Sequence, residues 1–261
     1  MTTATLTILG NRAGSPGPDG PASCYLIESE HGRIVVDLGG GSLTRLMPHL
    51  ASELDGIIVS HRHADHSVDL VPFAYHRSFP VVRPPIALYG PTGIGDYIAE
   101  LDAVHGIPTI DSMRTPLRSQ FPPHEIVPGS SFTVARTDIE TVRAAHAVPC
   151  LSMRFPQLGL VYTADTAITD DLINLASGAP VLLAEATYAS SVGRDLTTHG
   201  HMSGTEAGVL AFEAGVEHLI LTHLSDYADS AETIANARAE FGGRISIARV
   251  GEQHALPGRV R

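Results

Sequence analysis

The chain contains no tryptophan, only two cysteines, and no apolar run approaching the roughly 18 residues that a bilayer span requires. Aromatic residues make up 5% of it, so aliphatic side chains must fill the core. Cys24 and Cys150 lie far apart, which excludes a disulfide framework and fits a reducing compartment. Basic residues are scarce as well: 17 Lys and Arg stand against 28 Asp and Glu, a formal net charge of −11. Nucleic-acid binders draw most of their affinity from Lys and Arg neutralising phosphates. A broad RNA or DNA footprint is therefore not expected, and the bases form no local cluster that would restore one. Residues Met1 to Gly10 carry neither a basic segment nor a continuous apolar stretch and read as a strand rather than a signal peptide. No short repeat or low-complexity segment is present. A cytoplasmic protein without a membrane partner is the expectation.

What is there suits a layered α/β architecture. With 261 residues, 43% hydrophobic and 17% charged, the chain is read as one domain over 1–261. Its 25 Gly and 18 Pro imply many turns. Strands are expected at Thr5–Leu9, Cys24–Ile27, Arg33–Val36, Gly56–Ser60, Ile86–Tyr89, Ser131–Ala135, Ile139–Ala145, Leu151–Phe155 and Leu160–Thr163. Helices are expected at Leu43–Leu50 and from the Gly90–Gly93 turn to about Val104. The remainder alternates: helix Asp170–Ala176, strand Val181–Ala184, helix Gly204–Ala214, strand His218–Leu221, helix Ala231–Phe241, strand Ile245–Ala248. Strands mixed with surface helices and no linker argue for one set of packed layers.

The string His61-Arg62-His63-Ala64-Asp65-His66 follows the strand ending at Ser60. If the segment is extended, side chains two apart point the same way. His61 and His63 then converge on one cation while Asp65 and His66 turn toward a second. In a chain with 14 His, two or three neighbours would be unremarkable; four metal-capable side chains in six positions at a strand exit are not. Imidazole and carboxylate donors suit zinc, and also manganese or ferrous iron.

This His-x-His-x-Asp-His pattern resembles the signature of the metallo-β-lactamase superfamily, whose fold is a four-layer αβ/βα sandwich, two mixed β-sheets flanked by helices. The resemblance implies three further ligands in order: a His, an Asp, and a His at a strand end. His146, Asp165 and His223 each stand where a strand-like run emerges. The implied assignment is two divalent metal ions, zinc favoured, with His61, His63 and His146 on one, Asp65, His66 and His223 on the other, and Asp165 bridging. Asp37 is a candidate to orient a ligand imidazole. Two cations sharing a water lower its pKa toward neutrality and yield a bridging hydroxide as nucleophile. Two divalent ions set against Asp65, Asp165 and that hydroxide leave about one positive charge, enough to attract a small anion within an acidic protein.

The second half resembles the ribonuclease Z-like branch of the superfamily. Tyr162-Thr163-Ala164-Asp165-Thr166 is similar to its Gly-Asp-Thr segment, with Ala164 in place of Gly. Ala184-Glu185-Ala186-Thr187 is similar to its His-Glu-Ala-Thr segment, and His201-Met202-Ser203-Gly204-Thr205-Glu206 to its His-containing helix start. Within that branch the likeness is to compact cyclic-nucleotide phosphodiesterases, carried also by Pro18-Asp19-Gly20-Pro21-Ala22-Ser23 and Asp37-Leu38-Gly39-Gly40-Gly41; residues 100–130 match weakly. Asp65, His201 and Glu185 form the expected catalytic set, with His201, preferred over His199, donating the leaving-group proton and Glu185 orienting it. Ser203 is a candidate substrate contact, although Ser203 and Glu206 also have the spacing of a helix capping box. Three reactions stand: a small-molecule phosphodiesterase acting on 3′,5′-cyclic nucleotides such as cAMP, a tRNA 3′-processing endonuclease, and a lactonase or carboxyl-esterase. Against the second weigh the acidic balance and the lack of a Gly- and Lys/Arg-rich insertion. A non-enzymatic binding module is a further alternative, set aside because all seven ligand positions hold competent residues. The resemblance also implies a homodimer.

Overall fold

The computed structural model of the protein describes residues 4–191, 193 and 199–258. One seven-stranded sheet is built from β1 (Ala4–Gly10), β2 (Cys24–Ser29), β3 (Gly32–Val36), β4 (Gly56–Ile58), β5 (Leu88–Pro91), β6 (Pro123–Ile126) and β14 (Gln253–Leu256), in the order β14-β1-β2-β3-β4-β5-β6. The other holds β7 (Ser131–Val134), β8 (Thr137–Arg143), β9 (Leu151–Phe155), β10 (Leu160–Tyr162), β11 (Val181–Glu185), β12 (His218–Thr222) and β13 (Arg244–Ile247), in the order β13-β12-β11-β10-β9-β8-β7. Both sheets follow one plan. Pairing is antiparallel from β14 to β3 and parallel from β3 to β6; likewise it is antiparallel from β7 to β10 and parallel from β10 to β13.

Strand side chains alternate between faces, so a strand covered on both sides reads as a continuous apolar run. In β3, Ile34 and Val36 join the core between the sheets while Val35 faces outward. In β11, Val181 and Leu183 face inward and Leu182 and Ala184 outward. The outer face of the first sheet is covered by α1 (Leu43–Leu46), α3 (Leu70–Ser78), α4 (Ile94–His105) and α5 (Pro116–Gln120). That of the second is covered by α6 (Asp170–Ala176), α7 (Gly204–Glu213) and α8 (Ser230–Glu240). The result is helix, sheet, sheet, helix: the four-layer sandwich expected. Among the described residues no helix is long and apolar enough to cross a membrane.

Several local expectations are corrected. Pro48 splits the helix read over Leu43–Leu50 into α1 and a 3-10 turn, Met47–His49. The histidine cluster is not extended throughout: α2 (Ala64–Ser67) is a single helical turn, followed by the unforeseen α3. Between Val104 and Ser131, where the sequence suggests no element, the chain forms α5 and β6, and β14 forms only by pairing with β1.

The plan positions the site. Asp37 follows β3 and Asp165 lies just beyond β10, the two strands at which antiparallel pairing gives way to parallel. His61, Glu185 and His223 stand at or beyond the carboxyl ends of the parallel strands β4, β11 and β12. Side chains gather at such switch points because the chain leaves neighbouring strands in different directions and opens a crevice. Asp37, Ala164 and His223 turn the chain there with left-handed φ values of 60°, 51° and 54°, a conformation that L residues adopt only under surrounding constraint.

Candidate metal centre

β4 delivers the histidine segment to the crevice. His63 is extended (φ −61°, ψ 149°) and α2 begins after it, so Asp65 and His66 swing away from His61 and His63. The turn is held from below: the Leu38 amide donates to the His66 carbonyl at 2.7 Å. Gly39 passes so close that a Cβ there would lie 2.0 Å from the Asp65 carbonyl oxygen. Any side chain at that position displaces the ligand-bearing backbone.

All seven expected ligands come together, in two groups. In the first, His63 Nδ1 lies 3.0 Å from His61 Nε2 and 3.1 Å from His146 Nε2. In the second, His66 Nε2 lies 3.2 Å from both His223 Nε2 and Asp165 Oδ1, and His223 Nε2 is 3.2 Å from Asp65 Oδ2. Asp165 faces both groups, since its Oδ2 stands 3.7 Å from His61 Nε2. Within each group the candidate donor atoms lie within 4.8 Å of one another.

Hydrogen bonds on the far side of each ring explain why these atoms converge. His66 Nδ1 donates to Asp37 Oδ2 at 2.8 Å, His146 Nδ1 to the Gly200 carbonyl at 2.9 Å, and His223 Nδ1 to Thr187 Oγ1 at 2.9 Å. His61 Nδ1 meets Ser60 Oγ at 3.1 Å, and that hydroxyl donates onward to Asp37. Asp37, fully buried, also accepts from the Ser60 amide and from Tyr162 Oη. A neutral imidazole that donates from one nitrogen presents a bare lone pair at the other. Lone pairs crowded at 3 Å, and a buried Asp165 Oδ1 without a hydrogen-bond partner, repel one another unless a cation stands among them. The residues present therefore fit divalent metal ions.

Charges differ between the groups. Burial, reinforced by neighbouring imidazoles, holds His61 well below the usual histidine range. Burial likewise lowers His63 and His146. Burial also opposes charge on His66, but Asp165 and Asp37 on either side outweigh it and raise this imidazole well above its ordinary value. Asp65 and Asp165 are held below the carboxylate range despite burial, Asp65 chiefly by the His223 imidazole against its Oδ2 and Asp165 by the His223 and His66 rings.

His201 sits between the groups, its ring centroid 5.1 Å from that of His146 and 5.7 Å from that of His223. Its Nδ1 is 3.0 Å from Glu185 Oε1. Glu185 is fully buried and fixed by the Thr166 amide and the Thr187 hydroxyl. Burial alone would lower His201; the hydrogen bond and charge of Glu185, with Asp165 and Asp65, push it up to about 9. His199 is exposed.

Ser203 does not meet its substrate-contact expectation. It is fully buried, its Oγ accepts from the Glu206 amide at the start of α7, and Glu206 returns the bond to the Ser203 amide. A complete capping box uses the hydroxyl locally. Cys150 packs in the core with Sγ 3.6 Å from the Asp165 carbonyl oxygen. Ser60, Thr187, Tyr162 and Gly39 were missed in the sequence. Thr187, Tyr162 and Gly39 lie within quoted motif blocks, Ser60 does not, and none carries a metal-binding group that would single it out.

The centre opens into a cleft of about 850 Å³, lined on the metal side by His63, Asp65, Asp165, His201 and His223 and elsewhere mainly by small residues and two tyrosines.

Comparison with known proteins places this architecture. A family model described as a β-lactamase superfamily domain matches residues 33–224. An uncharacterised protein of Mycobacterium tuberculosis is 33% identical over 248 residues, covering 92% of this chain and 88% of the relative. The probable metallo-hydrolase YhfI of Bacillus subtilis is 28% identical over 254 residues, 94% of this chain and 97% of the relative. The crystal structure of YhfI matches with a TM-score of 0.84 over 98% of this chain and 100% of that one, at 27% identity. A ribonuclease Z of Salinispora arenicola is 26% identical, covering 95% of this chain and 94% of the relative.

Proposed function

Because the chain belongs to the β-lactamase superfamily, in its ribonuclease Z-like branch of metal-dependent hydrolases, we propose that it is a phosphodiesterase cleaving a small phosphodiester such as 3′,5′-cyclic AMP. The observation that carries the reading is His201 seated on buried Glu185 between the two ligand groups. A ribose oxygen is a poor leaving group and departs only if protonated. Glu185 raises the affinity of the imidazole for a proton, and with Nδ1 committed to Glu185, Nε2 is the nitrogen left to hand one over.

The two groups would hold divalent cations, His61, His63 and His146 one, Asp65, His66 and His223 the other, with Asp165 shared. Five imidazoles and two carboxylates favour zinc and also accept manganese or ferrous iron. Bound there, the cations would supply the Lewis acidity that makes a water nucleophilic at neutral pH and the positive charge that holds the phosphoryl oxygens. Asp65 is fixed for its task by the Gly14 amide, 2.6 Å from Oδ2. Asp37, Ser60 and Thr187 hold the imidazoles in the tautomer that faces inward. Ring opening forms one O–P bond from water, which gives up a proton to solvent, breaks the P–O3′ bond, and moves the His201 proton to O3′; solvent then reprotonates His201.

A small substrate is favoured over an RNA. Among the described residues no Lys or Arg lines the cleft, and the net charge of −11 repels a polyanion. The test is hydrolysis by the metal-loaded enzyme of cAMP, an aryl phosphodiester, a precursor tRNA and a simple lactone. Turnover of cAMP supports the proposal. Turnover of the lactone alone overturns it, and turnover of the tRNA alone replaces it with the processing reaction. His201→Ala should retain both metals yet slow cAMP hydrolysis by about 10²–10⁴-fold, with a smaller loss on a nitrophenyl ester, whose leaving group needs no proton.

A further inference from the structure

We propose that Tyr227 is a substrate-binding residue, a stacking platform on the cleft rim for the flat aromatic part of the substrate. The proposal rests on the phosphodiesterase reading and names what the ester must carry. Tyr227 lines the cleft and is 99% exposed. A lone exposed aromatic is ordinary; the way its mount is built is not.

The segment bearing Tyr227 joins β12 to α8 and is fastened on both sides. The Leu224 amide donates to the Asn11 carbonyl at 3.0 Å, and the Ala13 amide to the Leu224 carbonyl at 3.1 Å. Asp229 Oδ1 takes the Ala231 and Glu232 amides at 2.7 and 3.1 Å, starting α8. Asp226, next to Tyr227, pairs with Arg12. Arg12 is 8% exposed, and its Nε has no hydrogen-bond partner. Burying a guanidinium incompletely paired is unfavourable; its ion pair with Asp226 pins this loop. The ring thus stands on a stiff support over open space. An aromatic presented in this way loses little freedom on binding.

The rest of that half of the cleft agrees. Ala189, Ala228, Ser225 and Glu232 line the same cleft. Small side chains leave room for a flat body, and a carboxylate accepts hydrogen bonds from ring or exocyclic N–H groups while rejecting a second anion. A nucleobase joined to a single phosphodiester has that distribution: a neutral aromatic with N–H donors at one end, one negative charge at the other.

The experiment compares wild type, Tyr227→Ala and Tyr227→Phe on cAMP and on its abasic analogue, ribose 3′,5′-cyclic phosphate. Base–aromatic stacking predicts that Tyr227→Ala raises KM for cAMP about 5- to 150-fold with little change in kcat, and that Tyr227→Phe restores it to within about twofold. The abasic ester should respond at least about fivefold less. Equal changes on both esters, or no change on cAMP, overturn the proposal. Binding is read separately by saturation-transfer NMR of adenosine against ribose on the metal-loaded protein. Base-proton saturation lost in Tyr227→Ala supports the platform, and base contacts absent or unaltered overturn it. If no phosphodiester is turned over, the reaction assignment fails while this second measurement still decides the role of Tyr227.

Discussion

The trio His61, His63 and His146 and the quartet Asp65, His66, Asp165 and His223 share one crevice, yet they are different kinds of site. The trio carries no formal charge, and His63 and His146 are only half-buried. The quartet brings two carboxylates, and its side chains are 0–11% exposed. Their supports differ too. In the trio, His61 leans on a serine hydroxyl and His146 on a backbone carbonyl. In the quartet, His66 leans on the buried carboxylate of Asp37. A carboxylate behind an imidazole makes it a stronger donor and locks its orientation. The two groups therefore do not make equal sites: the quartet should bind the tighter ion and the trio the exchangeable one.

The most drastic way to break this contrast is Asp165→Ala, which removes the carboxylate facing both groups. Metal analysis should show loss of both ions, and activity should vanish; full retention of one ion would mean that Asp165 serves a single group. Next in size, Asp37→Asn keeps the shape but removes the charge behind His66. Titration with zinc should show about 10–100-fold weaker binding at one site with the other little changed. Equal weakening of both would mean that Asp37 supports His61 through Ser60 as strongly as it supports His66 directly.

Proton linkage sharpens the same comparison. Burial holds the trio imidazoles below the usual histidine range, whereas Asp165 and Asp37 raise His66 above it, so without metal His66 takes up a proton more readily than the trio does. Loading the quartet must displace that proton; loading the trio need not. Affinity of the tighter site should therefore rise as pH rises, by up to about tenfold per unit while His66 remains protonated, and that of the weaker site should stay nearly flat above pH 7. Calorimetry in buffers of different ionisation enthalpy counts the protons released. The smallest expected effect concerns the backbone: Ala164→Gly relieves a left-handed residue beside Asp165 and should raise stability by about 0.5–1 kcal/mol, seen in denaturant unfolding, without altering metal content.

Legibility in the sequence followed chemistry more than geometry. His61, His63, Asp65 and His66 stand out because metal-capable side chains are packed into one short string. Glu185 and His201 were found because both carry titratable groups beside quoted blocks. Asp37 was suspected for the same reason. Ser60 and Thr187 were not, since a hydroxyl that buttresses a histidine looks like any other hydroxyl. Ser203 shows the converse error: its local pattern supported both capping and substrate contact, and burial decided for capping. The α2 turn was read as extended because Ala64 to Ser67 has no apolar periodicity; it is helical through its contact with the Asp37–Gly39 turn. The strand β14 exists because β1 offers it an edge.

By itself the sequence determined which groups the protein has for holding cations and moving a proton, because side-chain chemistry is a local property. It also determined the layered fold, because apolar runs of strand and helix length can be buried in few ways. Only the tertiary structure decided that Asp165 faces both groups, that His66 sits between two carboxylates, and that Arg12 pins the loop bearing Tyr227. Those facts join residues from 29 to 214 positions apart in the sequence, and only the packed fold brings them together.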